Sequence, residues 1–192
     1  MFVMDSSASL TTEDYSLSIS FIKQVVAKFN LTTTHVGVMQ YSHYFQSRSL
    51  EDQPYLETVI RIGQFNRKQD FDNAMDSMRQ HGFKTYTAQA VLKALEVDFP
   101  SAQRYSDPCT VKSIVLITNG RSSDVRKIPE VSLRARNLGI RIFAIGVGRH
   151  SWTELQILTV GEIGNNSRFF SFPSYSKLPF IIQQLVAQLM AQ

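Results

Sequence analysis

Met1-Phe2-Val3-Met4-Asp5-Ser6-Ser7-Ala8-Ser9 opens the chain with a short apolar run that breaks into one carboxylate and three hydroxyls. A run this short reads as a strand, and the polar residues after it read as the turn at its end. Two later segments repeat the pattern. Thr85-Tyr86-Thr87 precedes a helical stripe of Ala88, Val91, Leu92 and Leu95, and Thr118-Asn119-Gly120 closes the apolar run Ile114 to Ile117. In an open α/β sheet such strand ends meet in one crevice, where the strand order reverses. One carboxylate, several hydroxyls and an amide oxygen form the donor set of a hard cation such as Mg²⁺.

Strand-like and helix-like segments alternate along the rest of the chain. This predicts an α/β fold, a mostly parallel sheet covered by helices. The predicted strands end at Met4 and then run over His35–Tyr41, Thr58–Ile62, Val111–Ile117, Ile140–Val147 and Arg168–Phe172, the third at an edge. Thr11-Thr12-Glu13-Asp14 has capping-box spacing, and Leu17, Phe21, Val25 and Phe29 mark one helix face behind it. Phe71, Met75 and Met78 predict a short helix ending near His81-Gly82, and Pro129 to Leu138 another with Gly139 past its end. Ile181, Ile182, Leu185, Val186 and Leu189 form the apolar side of a closing helix. The polar stretch from Ser42 to Leu56 reads as a long loop.

A length of 192 residues, 43% hydrophobic and 19% charged, fits one globular domain. No apolar run approaches the roughly 18 residues of a membrane span. Met1 to Met4 leads into Asp5 with no basic region before it, so we expect a domain cut from a longer chain rather than a leader peptide. The lone Cys109 admits no internal disulfide; it reads as a spare loop thiol or as a pairing residue. Asn30-Leu31-Thr32 and Asn165-Asn166-Ser167 are glycosylation sequons, consistent with secretion.

The net charge of +4 is concentrated between Arg121 and Arg149, with Arg121, Arg126, Lys127, Arg134, Arg136, Arg141 and Arg149 against Asp124 and Glu130. Two readings stand for this run, a solvated helix surface or an anion-binding face for sulfated polysaccharide or an acidic partner. Nucleic acid is disfavoured, because no aromatic residues interleave these charges.

Enzyme signals are fragmentary. A phosphatase of the haloacid-dehalogenase type needs a second carboxylate two residues after the first, and Ser7 stands there. Gly82-Phe83-Lys84-Thr85 lacks the leading glycine of a phosphate loop, and Gly146-Val147-Gly148 lacks the third glycine of a dinucleotide fingerprint. His35, His43, His81 and His150 lie in neither a hydrolase nor a metalloprotease context and read as surface or loop histidines, and Trp152 and Phe170 as packing residues.

Five segments together carry a family resemblance: Val3-Met4-Asp5-Ser6-Ser7-Ala8-Ser9, Val36-Gly37-Val38-Met39-Gln40-Tyr41-Ser42, Thr85-Tyr86-Thr87, Ile117-Thr118-Asn119-Gly120-Arg121-Ser122 and Ile142-Phe143-Ala144-Ile145-Gly146-Val147-Gly148. Over essentially its whole length the chain resembles the von Willebrand factor type A family, most of all the collagen VI and matrilin modules. The resemblance implies a doubly wound, mostly parallel six-stranded sheet with helices on both faces and one antiparallel edge strand, and a metal-ion-dependent adhesion site at its top, with Asp5, Ser7, Ser9 and Thr85 as ligands. It also implies a secreted, non-enzymatic module of the extracellular matrix, with a collagen or another matrix module as partner.

The chain departs from the family twice. Asn119 stands where the family has Asp, which removes one of two protein carboxylates and weakens Mg²⁺ binding, although the amide oxygen still ligates. The stretch 42–56 is longer than is usual. Two readings of the crevice remain, an altered ion site or a set of side chains that only bind the loops together. Asn119 also precedes Gly120, a context in which deamidation would restore the carboxylate.

Overall fold

Residues 1–159 and 168–191 are described by the structure, a computed structural model. Six strands form one sheet: β1 (Phe2–Asp5), β2 (Val38–Tyr41), β3 (Leu56–Ile60), β4 (Lys112–Thr118), β5 (Ile140–Val147) and β6 (Phe169–Phe172). Their order is β3-β2-β1-β4-β5-β6. The β2–β3 pair is antiparallel, and every other pair is parallel. Among the described residues six α-helices accompany the strands: α1 (Thr12–Val26), α2 (Lys68–Asp76), α3 (Thr87–Lys93), α4 (Ile128–Asn137), α5 (Trp152–Thr159) and α6 (Ile182–Met190).

The central strands are apolar on both faces because both faces are covered. Met4, Ile117, Phe143 and Ile145 pack with Phe21, Ile22 and Val25 of α1, Phe71 and Met75 of α2 and Leu185 of α6. Their neighbours Val3, Leu116, Ile142 and Ala144 point the other way, onto Val91 of α3, Val131 of α4 and Leu155 and Leu158 of α5. The doubly wound sheet with one antiparallel edge strand expected from the sequence is therefore the observed fold. The Thr11 cap is also observed: its hydroxyl accepts from Asp14 N at 3.1 Å, and Asp14 Oδ2 accepts from Thr11 N at 3.4 Å.

Several boundaries differ from expectation. β2 starts at Val38 rather than His35, beside a register irregularity at Val38/Met39. β3 starts and ends two residues early, because Arg61 and Ile62 enter a turn closed by Gln64 N to Arg61 O and by Gly63 at φ 80°. α2 ends at Asp76, not near His81; Ser77 Oγ donates to Ala74 O at 2.7 Å and takes up a free carbonyl there. Residues 78–86 are thereby left as the loop that reaches the strand ends. α5 was not legible: its buried face includes Glu154 and Thr159 with Leu155 and Leu158, which blurs the apolar period. Trp152 is 53% exposed, so it is less a core residue than expected, although its ring meets Phe169 edge-on at 4.5 Å.

Candidate functional site

Register decides which groups meet at the strand ends. In the β1–β4 pair Met4 lies opposite Ile117, so the next residues, Asp5 and Thr118, fall side by side. Asp5 is 1% exposed. Its Oδ1 accepts from Ser7 N at 2.8 Å, and its Oδ2 accepts from Thr118 Oγ1 at 3.0 Å. Burial pushes the Asp5 carboxyl above its usual range, while hydrogen bonds from Ser7, Thr118 and Asn119 oppose that shift.

The other predicted positions close around this carboxylate. Ser9 Oγ donates to Asn119 Oδ1 at 2.8 Å, and Asn119 Nδ2 donates to Ser9 O at 3.2 Å. Ser7 Oγ and Ser9 Oγ are 2.8 Å apart. Because Ser9 gives its only hydroxyl proton to Asn119, Ser7 is the donor of that contact. A methyl group placed on Gly120 would lie 3.9 Å from Thr85 Oγ1 and 4.0 Å from Ser9 Oγ, so both hydroxyls border one point. Asp5, Ser7, Ser9, Thr85 and Asn119 thus gather at one end of the sheet.

The loops are held by bonds that the sequence did not advertise. Ser6 Oγ accepts from His81 N at 2.8 Å, Ala8 N donates to Phe83 O at 3.0 Å, and Gln80 Nε2 donates to Ser7 O at 2.9 Å. The start of α3 has no cap of its own, since Tyr86 offers no side-chain bond. Asp124 supplies it from another loop, with Oδ1 accepting from Ala88 N at 3.1 Å and Oδ2 from Gln89 N at 2.8 Å. Ser123 N donates to Thr85 O at 2.7 Å in the same joint. Asp124 therefore ties the Thr85 loop to the Asn119 loop. The only sequence signal for it was a helix start that lacked a capping residue.

Among the described residues no group of three or more His, Cys, Asp or Glu is placed to hold a metal ion. The crevice offers a different donor set, one carboxylate and four neutral oxygens. The Asp5 carboxylate, with about four lone-pair positions, is not exhausted by its bonds from Ser7, Thr118 and Asn119, and the hydroxyl oxygens keep lone pairs as well. Such a set has the chemistry of a hard-cation site carrying one formal charge, as opposed to a zinc site of His and Cys.

The remaining expectations sort as follows. The four histidines lie in loops, each partly buried. Phe170 is a core residue, and Cys109 is an exposed loop thiol. Asn30 is exposed, whereas Asn165 lies outside the described residues. The basic run is dispersed: Arg121 meets Glu154 at 3.4 Å, Arg134 meets Glu96 at 2.9 Å, and Arg141 donates to the carbonyls of Leu189 and Ala191. No helix among the described residues is long and apolar enough to cross a membrane.

Comparison with known proteins agrees with this geometry. The model of the von Willebrand factor type A domain matches residues 1–185. Matrilin-2 of Mus musculus is 30% identical over 182 residues, covering 93% of this chain and 18% of that protein. The collagen alpha-6(VI) chain of Mus musculus is 27% identical over 188 residues, covering 97% of this chain and 8% of that protein. The chain thus spans less than a fifth of either relative. These relatives are secreted, structural proteins of the extracellular matrix. Proximal thread matrix protein 1 from the mussel byssus superposes with a TM-score of 0.82 at 21% identity, over 96% of this chain and 45% of that one. A further structure of it, with a zinc-occupied MIDAS motif, superposes at 0.78 with 21% identity, over 97% of this chain and 44% of that one.

Proposed function

The chain belongs to the von Willebrand factor type A family, and from that premise we propose that it is a non-enzymatic protein-interaction module of the extracellular matrix with a weak divalent-cation site in its strand-end crevice. The observation that carries the reading is the convergence of Asp5, Ser7, Ser9, Thr85 and Asn119 around one buried carboxylate. These five side chains would hold the ion, Mg²⁺ being the cation their oxygens suit. When bound, the ion would supply an electrophilic point for a carboxylate of a partner. The chain's own contribution is to hold the oxygens in place through the Asp124 joint and the bonds of Ser6 and Gln80. The expected partner is a matrix protein such as a collagen or another matrix module. The dispersed arginines do not favour sulfated polysaccharide. A single module of a longer, secreted chain is in keeping with the small share of each relative that it spans, and exposed Asn30 is open to glycosylation.

A second reading has an observation of its own. The relay from Ser7 to Ser9 to Asn119, with the return bond from Asn119 Nδ2 to Ser9 O, satisfies these groups without any ion. The module would then be a metal-free scaffold. Thermal melts in chelator, Mg²⁺ and Mn²⁺ separate the two. Ion at one hundred times its dissociation constant stabilises by about 2.7 kcal/mol. An upward shift that disappears in Asp5→Ala supports the ion site, and no shift at tens of millimolar ion leaves the scaffold.

A further inference from the structure

The loop of residues 78–86 carries Thr85 and also grips the turn that carries Ser7 and Ser9. Gly82 N donates to Ser6 O at 2.8 Å, and Gln80 Nε2 donates to Leu10 O at 3.1 Å as well as to Ser7 O. Whatever fixes this loop therefore sets the spacing of the crevice oxygens.

Two side chains of the sheet fix it from the other side. Gln40 lies opposite Met4 in the β1–β2 register, one position before Asp5, and is 2% exposed. Its Nε2 donates to Arg79 O at 3.1 Å and to Glu57 Oε2 at 2.7 Å, and its Oε1 accepts from Tyr15 Oη at 2.5 Å. Both N–H groups and the oxygen of this buried amide are thus engaged. A buried polar group satisfied in this way holds one arrangement, because leaving any of its atoms unpaired is costly. Glu57 Oε2 takes a second bond, from His81 Nε2 at 2.9 Å. A carboxylate only accepts, so the imidazole is the donor. The backbone N of the same histidine donates to Ser6 Oγ at 2.8 Å. His81 therefore links the edge strand β3 directly to the turn after β1.

We propose that Gln40 and Glu57 are positioning residues of the ion site, a role that rests on the ion-site reading above. They hold the loop from Arg79 to Thr85 against the turn from Ser6 to Ser9, so that oxygens from two separate loops serve one cation. Neither residue is a ligand. Groups that orient the ligands of a metal change its affinity by about 10–100-fold when removed. The carboxylate charge of Glu57 is not what the geometry uses. Only Oε2 is bonded among the described residues, and the side chain is 49% exposed. Glutamine can keep that oxygen in place and turn its amide to water.

The test is the affinity of the intact chain for Mn²⁺, read from the loss of the free-ion electron paramagnetic resonance signal. Titrations are made at a temperature where melts show every variant folded, so a loss of stability alone does not move the result. Glu57→Ala and Gln40→Met should each weaken binding about tenfold, and the double variant little further, since both act through one loop. Glu57→Gln should keep the wild-type affinity. The same ratios are expected in the Asn119→Asp background, where a second carboxylate tightens the site. Wild-type affinity in both Glu57→Ala and Gln40→Met would overturn the positioning role alone. A Glu57→Gln site as weak as that of Glu57→Ala would also overturn it, because Glu57 would then act through its charge. No Mn²⁺ bound by either the wild-type or the Asn119→Asp chain would overturn the ion site itself.

Discussion

Asn119 gives the crevice its character, because it offers the oxygen of a carboxylate without the charge. Its two bonds to Ser9 show that the side chain is well held. In Asn119→Asp the bond from Nδ2 is lost and a second negative charge is brought near Asp5, so the ion-free protein should be less stable by about 1 kcal/mol. The same charge should tighten Mg²⁺ binding by about tenfold or more, read as a larger melting shift between chelator and Mg²⁺. Equal shifts in wild type and variant would remove Asn119 from the ligand set. Phe83, at φ 73° the one non-glycine among the described residues with left-handed backbone, makes a second prediction at this scale. Phe83→Gly should leave the fold intact and raise stability by about 0.5–1 kcal/mol in denaturant unfolding, since relief of the left-handed strain outweighs the entropy glycine adds to the unfolded chain. A clear loss would mean that the ring's packing on Tyr55 outweighs the strain.

Among the elements, α3 depends most on a residue far away in sequence. Asp124→Ala should cost about 1–2 kcal/mol by uncapping two amides at the helix start, and should shrink the Mg²⁺ response because Thr85 is tied into the same joint. An unchanged response in that variant would uncouple the cap from the site. At the other end of α3 the helix passes into a π-helical turn, Ala94–Asp98. Lys93 and Asp98, 5% and 6% exposed, lie 3.6 Å apart and share Thr58 Oγ1 between them. Burial holds the Asp98 carboxyl above its ordinary value, against the opposing pull of Lys93 and Thr58. Asp98→Ala strands the buried ammonium and should cost about 3–5 kcal/mol, whereas Lys93→Met with Asp98→Leu should be close to neutral. Equal losses in the two proteins would show that packing, not charge, holds this corner.

On the scale of the whole molecule, the sheet order decides where chemistry can occur. Chain direction turns from β1 outward to β2 on one side and to β4 on the other, so loops leave the top of the sheet in opposite directions and open a crevice at Asp5. Close packing supports that geometry. Gly146, opposite Thr118 in the β4–β5 register, has room for no side chain: a methyl there would fall 2.5 Å from the His150 ring and 2.7 Å from Leu155. Gly146→Ala should therefore destabilise by about 1–3 kcal/mol, checked by thermal melt, and a neutral result would show that the His150 loop yields freely.

What the sequence determined by itself was what local order encodes: alternating strand and helix patterns, an edge strand, the Thr11 cap, and the oxygen-bearing turns after β1 and β4; Thr85, expected at a strand end, lies instead in the loop between α2 and α3. Those signals survive because burial on both faces of a sheet imposes continuous apolar runs, and a chain that must turn at a strand end marks the place with small polar residues. Only the tertiary structure decided that Ser7, Ser9 and Asn119 bond in series beside Asp5. It also decided that Asp124 caps a helix begun 37 residues earlier at Thr87, that Thr118 supports Asp5, and that rings from two loops pack on one another, His43 on Tyr86 and Tyr55 on Phe83. These contacts join residues far apart in the chain. Their partners are fixed by strand register and loop packing, which no local pattern records.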